Sequence, residues 1–375
     1  MATSRPAAVQ IWTAATGGGH GSAARALAGA LAEAGGSRVT VEVEDATRLP
    51  IGRLAGGLAR AYGPLVRTSP RAWGLLFRAF NGRASTRAMD RFLLHELQGA
   101  MAARTRERDP RVVVSCHPLL TLAAARATAA QAAPARLVTL MTDLAGGHRA
   151  WLRPSPDLLL AATPEALRWC VASGLAPDQL RLTGLPVDPA LGAPPRRSVL
   201  RQRLGLAPNL PCVLVAGGAE GTGHLARWVS WIARARLPLQ VVVACGHNRR
   251  LAAGLRRSTL PALTVLGYQE TLTPWLLAAD VYLGRAGPSS LAEAAAAGLA
   301  IVTTGSLPGQ EAANERLLVR AGAAAVVRSR EQLRETLEPL CRPGAAHLAR
   351  LQAAASAWAR PGAAQAAAQA VLELL

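Results

Sequence analysis

The chain has 375 residues, half of them hydrophobic, and a formal net charge of +19 at pH 7. Its 42 basic residues are all arginines, and it contains 35 glycines and 25 prolines. This composition excludes a disordered or fibrous chain, and the length predicts two globular domains. Because arginine is the only basic residue type, the net charge says little about partners, and the positions of the arginines say more.

The cysteines and the N-terminal segment indicate the cellular compartment in which the protein works. The five cysteines are scattered and form no C-x-x-C pair, which argues for reduced thiols in a cytoplasm and against zinc. The N-terminal MATSRPAAVQ lacks the apolar core of a signal peptide, and no run of about 20 apolar residues occurs without charges or breakers. We expect a cytoplasmic protein that does not span a membrane.

Short apolar runs rich in Val, Leu and Ile alternate with helix-forming segments of Ala and Leu. In the first half they cover residues 7–13, 39–44, 111–115, 137–141 and 157–162. In the second half they cover residues 211–216, 239–244, 263–266, 280–283 and 300–303. This alternation predicts an α/β fold whose parallel sheets are covered by helices on both faces.

A proline-dense stretch, PVDPALGAPPRR over residues 186–197, predicts a linker between two domains. We expect an N-terminal domain over 1–190, a C-terminal domain over 198–345 and a helical segment over 346–375. Two doubly wound, Rossmann-like domains of this kind would face each other across a cleft and bind ligands at the carboxyl ends of their strands.

The first apolar run leads into TGGGHGSAARAL, residues 16–27, which predicts a strand, a glycine turn and a helix. Unpaired N–H groups at such a helix start attract anions, and glycines let another molecule approach the backbone. Gly18, Gly19 and His20 are therefore candidates for a substrate-binding loop. A tight turn with a surface histidine is the alternative.

Residues 46–89 interrupt this rhythm with eight arginines, no acidic residue, and the aromatic residues Tyr62, Trp73, Phe77 and Phe80. Arginines near an anionic leaflet contribute roughly 1 kcal/mol each, and aromatic rings enter the acyl boundary. We interpret the segment as a membrane-surface element that includes Trp73, Phe77 and Phe80. An ordinary core helix with a solvated arginine face is the alternative, and nucleic acid is disfavoured because no recognised motif accompanies the charge.

The strand, glycine and helix pattern recurs in LVAGGAEGTGHLARWVSWI, residues 214–232, where Gly218 and Gly221 lie in the loop. Further along, Gly287, Ser289 and Ser290 form a helix entrance whose free N–H groups can hold a diphosphate. These two segments predict a nucleotide-binding site in the C-terminal domain.

Polar residues after these loops extend that site. Glu293, in the predicted first turn, is placed to accept hydrogen bonds from a ribose, and Arg285 can neutralise a diphosphate. The segment PGQEAAN brings Gln310, Glu311 and Asn314 together on a predicted second turn, a set suited to sugar hydroxyls.

The segments AGPSSLAEA and GLAIVTTGSLPGQEAAN resemble the donor half of glycosyltransferase family 28, in the group of monogalactosyldiacylglycerol synthases and processive diacylglycerol glucosyltransferases. The acceptor half is similar in TGGGHGSAARAL, SCHPLL, TDLAGGHRAW and LRLTGLPVDPAL. The resemblance runs from about residue 9 to 327 in the family's order.

This resemblance implies a GT-B fold and an inverting transfer of hexose from UDP-galactose or UDP-glucose to the hydroxyl of diacylglycerol on the cytoplasmic face of a membrane. It implies His20 as the general base, with His148 as the second candidate, and acceptor contacts from His117 and Trp151. No Asp-x-Asp pair occurs, so we expect no metal cofactor, with helix N-termini and Arg285 stabilising the leaving diphosphate.

The chain departs from the family pattern at a few positions. It has Ser289 and Ser290 where Gly-Thr is common, Arg285 where Lys is common, and two glycines in TDLAGGHRAW where bulkier residues are usual. Two alternatives remain within this resemblance: an N-acetylglucosaminyltransferase acting on a lipid-linked peptidoglycan precursor, and an inactive membrane-bound nucleotide-sugar binding protein.

Overall fold

A computed structural model of the chain describes residues 6–14, 18–49, 53–82, 85, 95–258, 260–309, 311–341 and 346–375. These residues form two compact units. The first unit contains the described residues of 1–65, 71–187 and 362–375, and the second contains those of 66–70 and 188–361.

The first unit is built on a six-stranded parallel sheet. Its strands are β1 (Ala7–Thr13), β2 (Val39–Asp45), β3 (Val112–Ser115), β4 (Arg136–Leu140), β5 (Leu158–Ala161) and β6 (Leu180–Leu182). The helices are α1 (Gly19–Gly35), α2 (Arg53–Thr68), α3 (Pro70–Phe80), α4 (His95–Arg108), α5 (Thr121–Ala129) and α6 (Pro164–Ala172). Single 3₁₀ turns cover Gly36–Arg38, Ala46–Arg48, Pro118–Leu120, Arg149–Leu152 and Pro177–Gln179.

The strand order of this sheet is β2-β1-β3-β4-β5-β6, and every neighbouring pair is parallel. The chain moves outward from β1 to β2 and then returns to β3 on the other side. A crevice therefore opens between the carboxyl ends of β1 and β3, the place where doubly wound sheets bind ligands.

The second unit contains another six-stranded parallel sheet. Its strands are β7 (Cys212–Ala216), β8 (Gln240–Ala244), β9 (Leu263–Leu266), β10 (Val281–Gly284), β11 (Ala300–Thr303) and β12 (Ala324–Val326). The helices are α7 (Arg197–Arg203), α8 (Leu225–Ala235), α9 (Arg249–Arg256), α10 (Thr273–Ala278), α11 (Pro288–Ala296), α12 (Ala312–Arg320), α13 (Arg330–Leu337) and α14 (Ala346–Trp358). The 3₁₀ turns are Pro189–Gly192 and Glu338–Cys341.

Its strand order, β12-β11-β10-β7-β8-β9, is that of a dinucleotide-binding sheet. The change of direction lies between β7 and β10, so the loops after these two strands border the ligand crevice. The last helix, α15 (Ala363–Leu372), belongs to the first unit and packs on α1.

The cores explain why the apolar runs became strands. All residues of β3, β5, β7, β8, β10 and β11 are buried, because helices cover both faces of each sheet. Val213, Val241 and Val281 belong to one core cluster that also contains Trp228 of α8. In the first unit, Trp12 and Met101 lie in a corresponding cluster between β1 and α4.

The structure confirms the predicted α/β class, and it adds two strands that the apolar runs did not predict. Both β6 and β12 have three residues and lie at an edge of their sheet, where a short strand gives little hydrophobic pattern. The segment 346–375, predicted as one helical piece, contains two helices that belong to different units.

Candidate active site

His20 lies in the first turn of α1, directly after the carboxyl end of β1. Gly18 precedes the helix with a φ of 77°, a conformation that favours glycine, and Gly19 is the first helical residue. The Nδ1 atom of His20 is 2.9 Å from Oγ1 of Thr142, which follows β4. Strands β1 and β4 thus bring together an imidazole and a hydroxyl that are 122 residues apart.

Burial lowers the pKa of His20 from 6.5 to about 4, while a hydrogen bond with the Cys116 backbone acts in the opposite direction. His20 is only partly buried as a residue, but its ring packs against His117 and Trp151. The main cause of the lowered pKa is desolvation. At pH 7 the neutral ring can accept a proton.

His117 is the second ring of this cluster, with its centroid 4.6 Å from that of His20 and its plane at 69°. Its Nδ1 accepts a hydrogen bond of 3.2 Å from the Leu119 N–H, so the neutral ring carries its proton on Nε2. Burial lowers the pKa of His117 well below 6.5, and the nearby rings of His20 and His148 lower it further. His117 therefore adds no positive charge beside His20.

His148, the second candidate for the base, has both ring nitrogens bonded to the backbone. Nδ1 accepts from the Ala150 N–H at 3.2 Å, and Nε2 donates to the Phe80 carbonyl at 3.0 Å. A ring engaged in this way has no lone pair free for an acceptor hydroxyl. These two bonds disfavour His148 as the base, and that role stays a prediction. His20 contacts the Thr142 hydroxyl and the Cys116 backbone, and when Nδ1 donates to the hydroxyl the lone pair of the neutral ring lies on Nε2.

Trp151 is fully buried, so its ring offers no exposed surface for the predicted contact with acceptor or membrane. Its indole N–H donates to Asp143 Oδ2 at 2.7 Å, and its ring centroid lies 6.0 Å from that of His20. Trp151 is thus part of the buried surroundings of the His20 ring.

The two unusual glycines of TDLAGGHRAW have a steric reason. A Cβ on Gly147 would lie 2.2 Å from Asp143 Oδ2, which is an overlap, and Gly146 has a φ of 106°. Larger residues would push this loop away from the buried pair of Asp143 and Trp151. Glycine at these positions thus allows the loop to pack closely beside His148.

In the segment 46–89, the aromatic residues of α3 differ in exposure. Trp73 and Phe77 are half-buried: Trp73 contacts Tyr62 with ring centroids 5.0 Å apart, and Phe77 contacts His148 at 5.6 Å. The exposed apolar residues are Leu75, Leu76 and Phe80. Of the three predicted membrane contacts, only Phe80 is exposed; Leu75 and Leu76, which we did not single out, are exposed as well.

In the second unit, the glycine loop after β7 is a compact turn against the loop after β8. A Cβ on Gly221 would lie 2.0 Å from the Cys245 carbonyl oxygen, and Gly218 has a φ of 70° with the Arg285 guanidinium close to it. Both positions therefore require glycine. The turn places Arg285, which follows β10, over the loop after β7.

Arg285 forms an ion pair of 2.6 Å with Glu311, whose other carboxylate oxygen accepts from the Leu307 N–H at 2.8 Å. Glu311 is buried, so this pair is a fixed part of the site. Glu311 neutralises part of the positive charge of Arg285, whose Nε atom is buried with no partner among the described residues. The predicted role of Arg285 at a diphosphate stays a prediction.

The remaining predicted donor residues surround this pair. Gly287 precedes α11, a Cβ there would lie 3.5 Å from Glu311 Oε1, and Ser290 bonds to the Tyr282 hydroxyl. Ser289 Oγ and Asn314 Oδ1 are buried without a partner in the described part of the chain. Asn314 Nδ2 donates to the Ala286 carbonyl at 3.3 Å.

Two local placements differ from the predicted ones, and one prediction falls outside the structure. Glu293 lies in the second turn of α11, not the first, because the helix already begins at Pro288. Glu311 is the residue before α12 and Asn314 is in its first turn. Gln310 lies outside the described residues.

The sequence interpretation missed a stacked pair of rings at the same edge of this sheet. His247, after β8, and Tyr268, after β9, have centroids 4.1 Å apart and planes at 12°. Tyr268 is half exposed, so one aromatic face remains open to a planar group. The signal was present, since Tyr268 comes two residues after a strand.

Comparison with known families agrees with this geometry. The family model "Monogalactosyldiacylglycerol (MGDG) synthase" matches residues 20–187, and "Glycosyltransferase family 28 C-terminal domain" matches residues 212–370. The chain is 30% identical over 327 residues to a probable monogalactosyldiacylglycerol synthase 2 of Oryza sativa subsp. japonica, covering 84% of this chain and 69% of that protein. It is 29% identical over 351 residues to monogalactosyldiacylglycerol synthase 1 of Arabidopsis thaliana, covering 88% and 64%.

Solved structures share the whole fold. MurG of Acinetobacter baumannii matches with a TM-score of 0.59 at 16% identity, over 98% of this chain and 100% of that one. Alr3699/HepE of Anabaena in complex with UDP-glucose matches with the same TM-score, identity and coverage. The two parallel sheets thus have the GT-B fold, and the matching family models place the chain in the class of glycosyltransferases. Within that class, the chain belongs to the monogalactosyldiacylglycerol synthase family.

Among the described residues, no helix combines the length and the apolar character that crossing a bilayer requires.

Proposed function

We propose that this protein transfers a hexose from UDP-galactose or UDP-glucose to the hydroxyl of diacylglycerol at a membrane surface, with inversion at the sugar C1. Membership of the family supports the reaction class. The observation that carries the donor assignment is the set of buried polar atoms without partners at the crevice of the second sheet, on Arg285, Ser289 and Asn314. Such atoms are costly unless a ligand satisfies them.

The donor fits these positions by its chemistry. The diphosphate takes the N–H groups at the start of α11 and the hydroxyl of Ser289, where the helix dipole favours negative charge. Glu311 and Asn314 offer acceptors for sugar hydroxyls, and Glu293 serves the ribose. The open face of Tyr268 suits the uracil ring. Arg285 holds Glu311 and adds positive charge beside the leaving diphosphate.

Proton removal falls to His20. When Nδ1 donates to Thr142 Oγ1, the lone pair lies on Nε2 and accepts the hydroxyl proton as the bond to C1 forms. The acceptor hydroxyl is too weak an acid to ionise beforehand, so the proton moves during attack. A positioned base of this kind contributes about 10²- to 10⁴-fold to the rate.

The acceptor side is proposed to work from the cytoplasmic face of an anionic membrane. Leu75, Leu76 and Phe80 expose an apolar surface on α3, and Arg71 and Arg78 are exposed on the same helix. Basic and apolar side chains on one helix match the requirements of an interfacial element. We also propose that no metal cofactor takes part, because helix N–H groups and Arg285 serve the diphosphate.

The test is incubation of the purified protein with each UDP-hexose and diacylglycerol vesicles, with and without EDTA, followed by mass analysis of the lipid. We expect a hexosyl diacylglycerol from the wild type, and at least a hundredfold slower formation by His20→Ala with nearly unchanged UDP affinity. UDP binding without any glycolipid product would reject the transferase and favour a nucleotide-sugar binding protein. Loss of product on adding EDTA would reject the metal-free reaction.

A further inference from the structure

The C-terminal end of α3 is bonded to the loop that contains His148. His148 Nε2 donates to the Phe80 carbonyl at 3.0 Å, and the Arg149 N–H donates to Asn81 Oδ1 at 2.8 Å. The Phe77 ring lies against the His148 ring with centroids 5.6 Å apart. Two consecutive loop residues therefore bind two consecutive residues at the end of the helix.

The bond to Phe80 has a structural reason. The last four carbonyls of an α-helix lack partners within the helix, and Phe80 is the last residue of α3. The imidazole supplies the missing donor. Its own orientation is set by Nδ1, which accepts from the Ala150 N–H and so keeps the ring proton on Nε2.

On its other side, the same loop reaches the candidate base. His148 is close enough to His117 to lower its pKa, and Trp151, three residues further on, lies 6.0 Å from His20. Gly147 has no room for a side chain beside Asp143, so the backbone of the loop packs tightly against Asp143 and Trp151. A displacement of this loop therefore also displaces the surroundings of His20.

We propose that His148 is a positioning residue: it holds α3, with its exposed Leu75, Leu76 and Phe80, against the loop that supports His20. Docking of α3 on a bilayer is then coupled to the geometry of the base, which places the lipid acceptor. The part of this proposal that concerns lipid rests on the proposed function; the bond between α3 and the loop does not.

The first arm of the test is hydrogen–deuterium exchange of the peptide covering residues 70–82 in the wild type, His148→Ala and His148→Gln. Glutamine carries an N–H at about the position of Nε2 and has no basic nitrogen, so it can keep the bond to Phe80 without acting as a base. We expect about tenfold faster exchange in His148→Ala, the equivalent of one lost hydrogen bond, and a nearly normal rate in His148→Gln.

The second arm is steady-state transfer to diacylglycerol in vesicles. We expect His148→Ala to raise KM for diacylglycerol about tenfold and to lower kcat by less than about tenfold, since the surroundings of His20 shift with the loop. His148→Gln should restore most of both losses. Should His148→Ala fail to fold, Asn81→Ala removes the neighbouring bond and should raise KM in the same direction.

Two results would overturn the proposal. Unchanged exchange in His148→Ala would show that the bond does not hold α3, and a kcat at least a hundredfold lower in both His148 variants would make His148 the base. Absence of any glycolipid from the wild type would reject the proposed function instead, and the exchange arm would still decide whether His148 holds the helix.

Discussion

At the scale of single residues, His20 and His148 each follow a strand of the same sheet, yet their partners give them different chemistry. His148 is bonded to two backbone groups, whereas His20 contacts the Cys116 backbone and a threonine hydroxyl that can accept a hydrogen bond from Nδ1. The low pKa of His20, caused mainly by burial, keeps the ring neutral over a wide pH range. It also makes the ring a weaker base than an exposed imidazole, whose pKa lies nearer the operating pH.

The lowered pKa of His20 predicts the acid side of the pH profile. His20 must be neutral to accept a proton, and protonation becomes substantial only as the pH approaches about 4. We expect kcat/KM to stay nearly constant from pH 8 to about 5.5 and to fall below that, measured over a range where the protein remains folded. An inflection near 6.5 would indicate a base that is not desolvated.

Thr142 should orient His20 through its hydroxyl. We expect Thr142→Val, which conserves the shape but removes the oxygen, to lower kcat by roughly 10- to 100-fold because the ring loses the partner of Nδ1. Thr142→Ser keeps the oxygen and serves as the matched control, with activity close to the wild type. Equal activity of the Val and Ser variants would remove Thr142 from the mechanism.

Glu293 should hold the ribose of the donor. Hydrogen bonds to a charged group contribute about 1.5–3 kcal/mol, so Glu293→Ala should weaken UDP binding by roughly 10- to 100-fold in calorimetry. Glu293→Gln, which keeps the shape, should lose less. A UDP affinity unchanged in both variants would contradict this assignment, even if turnover fell.

At the scale of secondary-structure elements, α3 has one side that packs on the protein and another that is exposed. Its inner face contributes Trp73 and Phe77 to contacts with Tyr62 and His148, and its outer face leaves Leu75 two-thirds exposed. A large exposed leucine is common by itself, but three apolar residues on one short helix between arginines indicate an interface.

This outer face predicts how the protein binds vesicles. We expect binding to require anionic lipid, to weaken with added salt, and to fall when Leu75, Leu76 and Phe80 are changed together to Ala. Val171→Ala is the matched control, since Val171 is an exposed apolar residue of the same unit on another helix. Flotation assays that show equal binding to neutral and anionic vesicles would contradict the prediction.

At the scale of the whole molecule, the three histidines with lowered pKa all belong to the first unit. In the unfolded chain a histidine takes up its proton near pH 6.5, whereas in the folded unit burial delays protonation to a lower pH. Between those values the unfolded state binds more protons. The stability that these residues contribute is therefore complete above about pH 6.5 and is lost as the pH falls towards 4.

We accordingly expect the unfolding transition of the first unit to shift to lower temperature between pH 7.5 and pH 5. His117→Gln should reduce that shift, because one delayed protonation is removed, while the transition at pH 7.5 reports any direct packing loss. Calorimetry with each transition analysed separately is the measurement, since two units need not unfold together. An identical pH shift in the variant would contradict the assignment to His117.

The amino-acid sequence predicted much of the organisation of the molecule, namely the strands and the glycine loops that follow them. Runs such as VVVS and CVLVA are apolar on both faces, as expected of a parallel strand that is covered by helices on both sides. The glycines after β1 and β7 mark the loops at both crevices. These features are local in sequence, so pattern and spacing predict them. The same holds for the family, whose motifs are contiguous.

Tertiary structure decided what the local pattern left open. Whether His20 or His148 keeps a free lone pair depends on Thr142 and on the Phe80 carbonyl, 122 and 68 residues away along the chain. The pairing of Arg285 with Glu311, the burial of Trp151 and the different exposure of Phe77 and Phe80 likewise depend on distant packing. Sequence alone determined the sheets, the crevices and the candidate residues; only the folded chain set their hydrogen-bond partners and desolvation, because both arise from atoms that come together on folding.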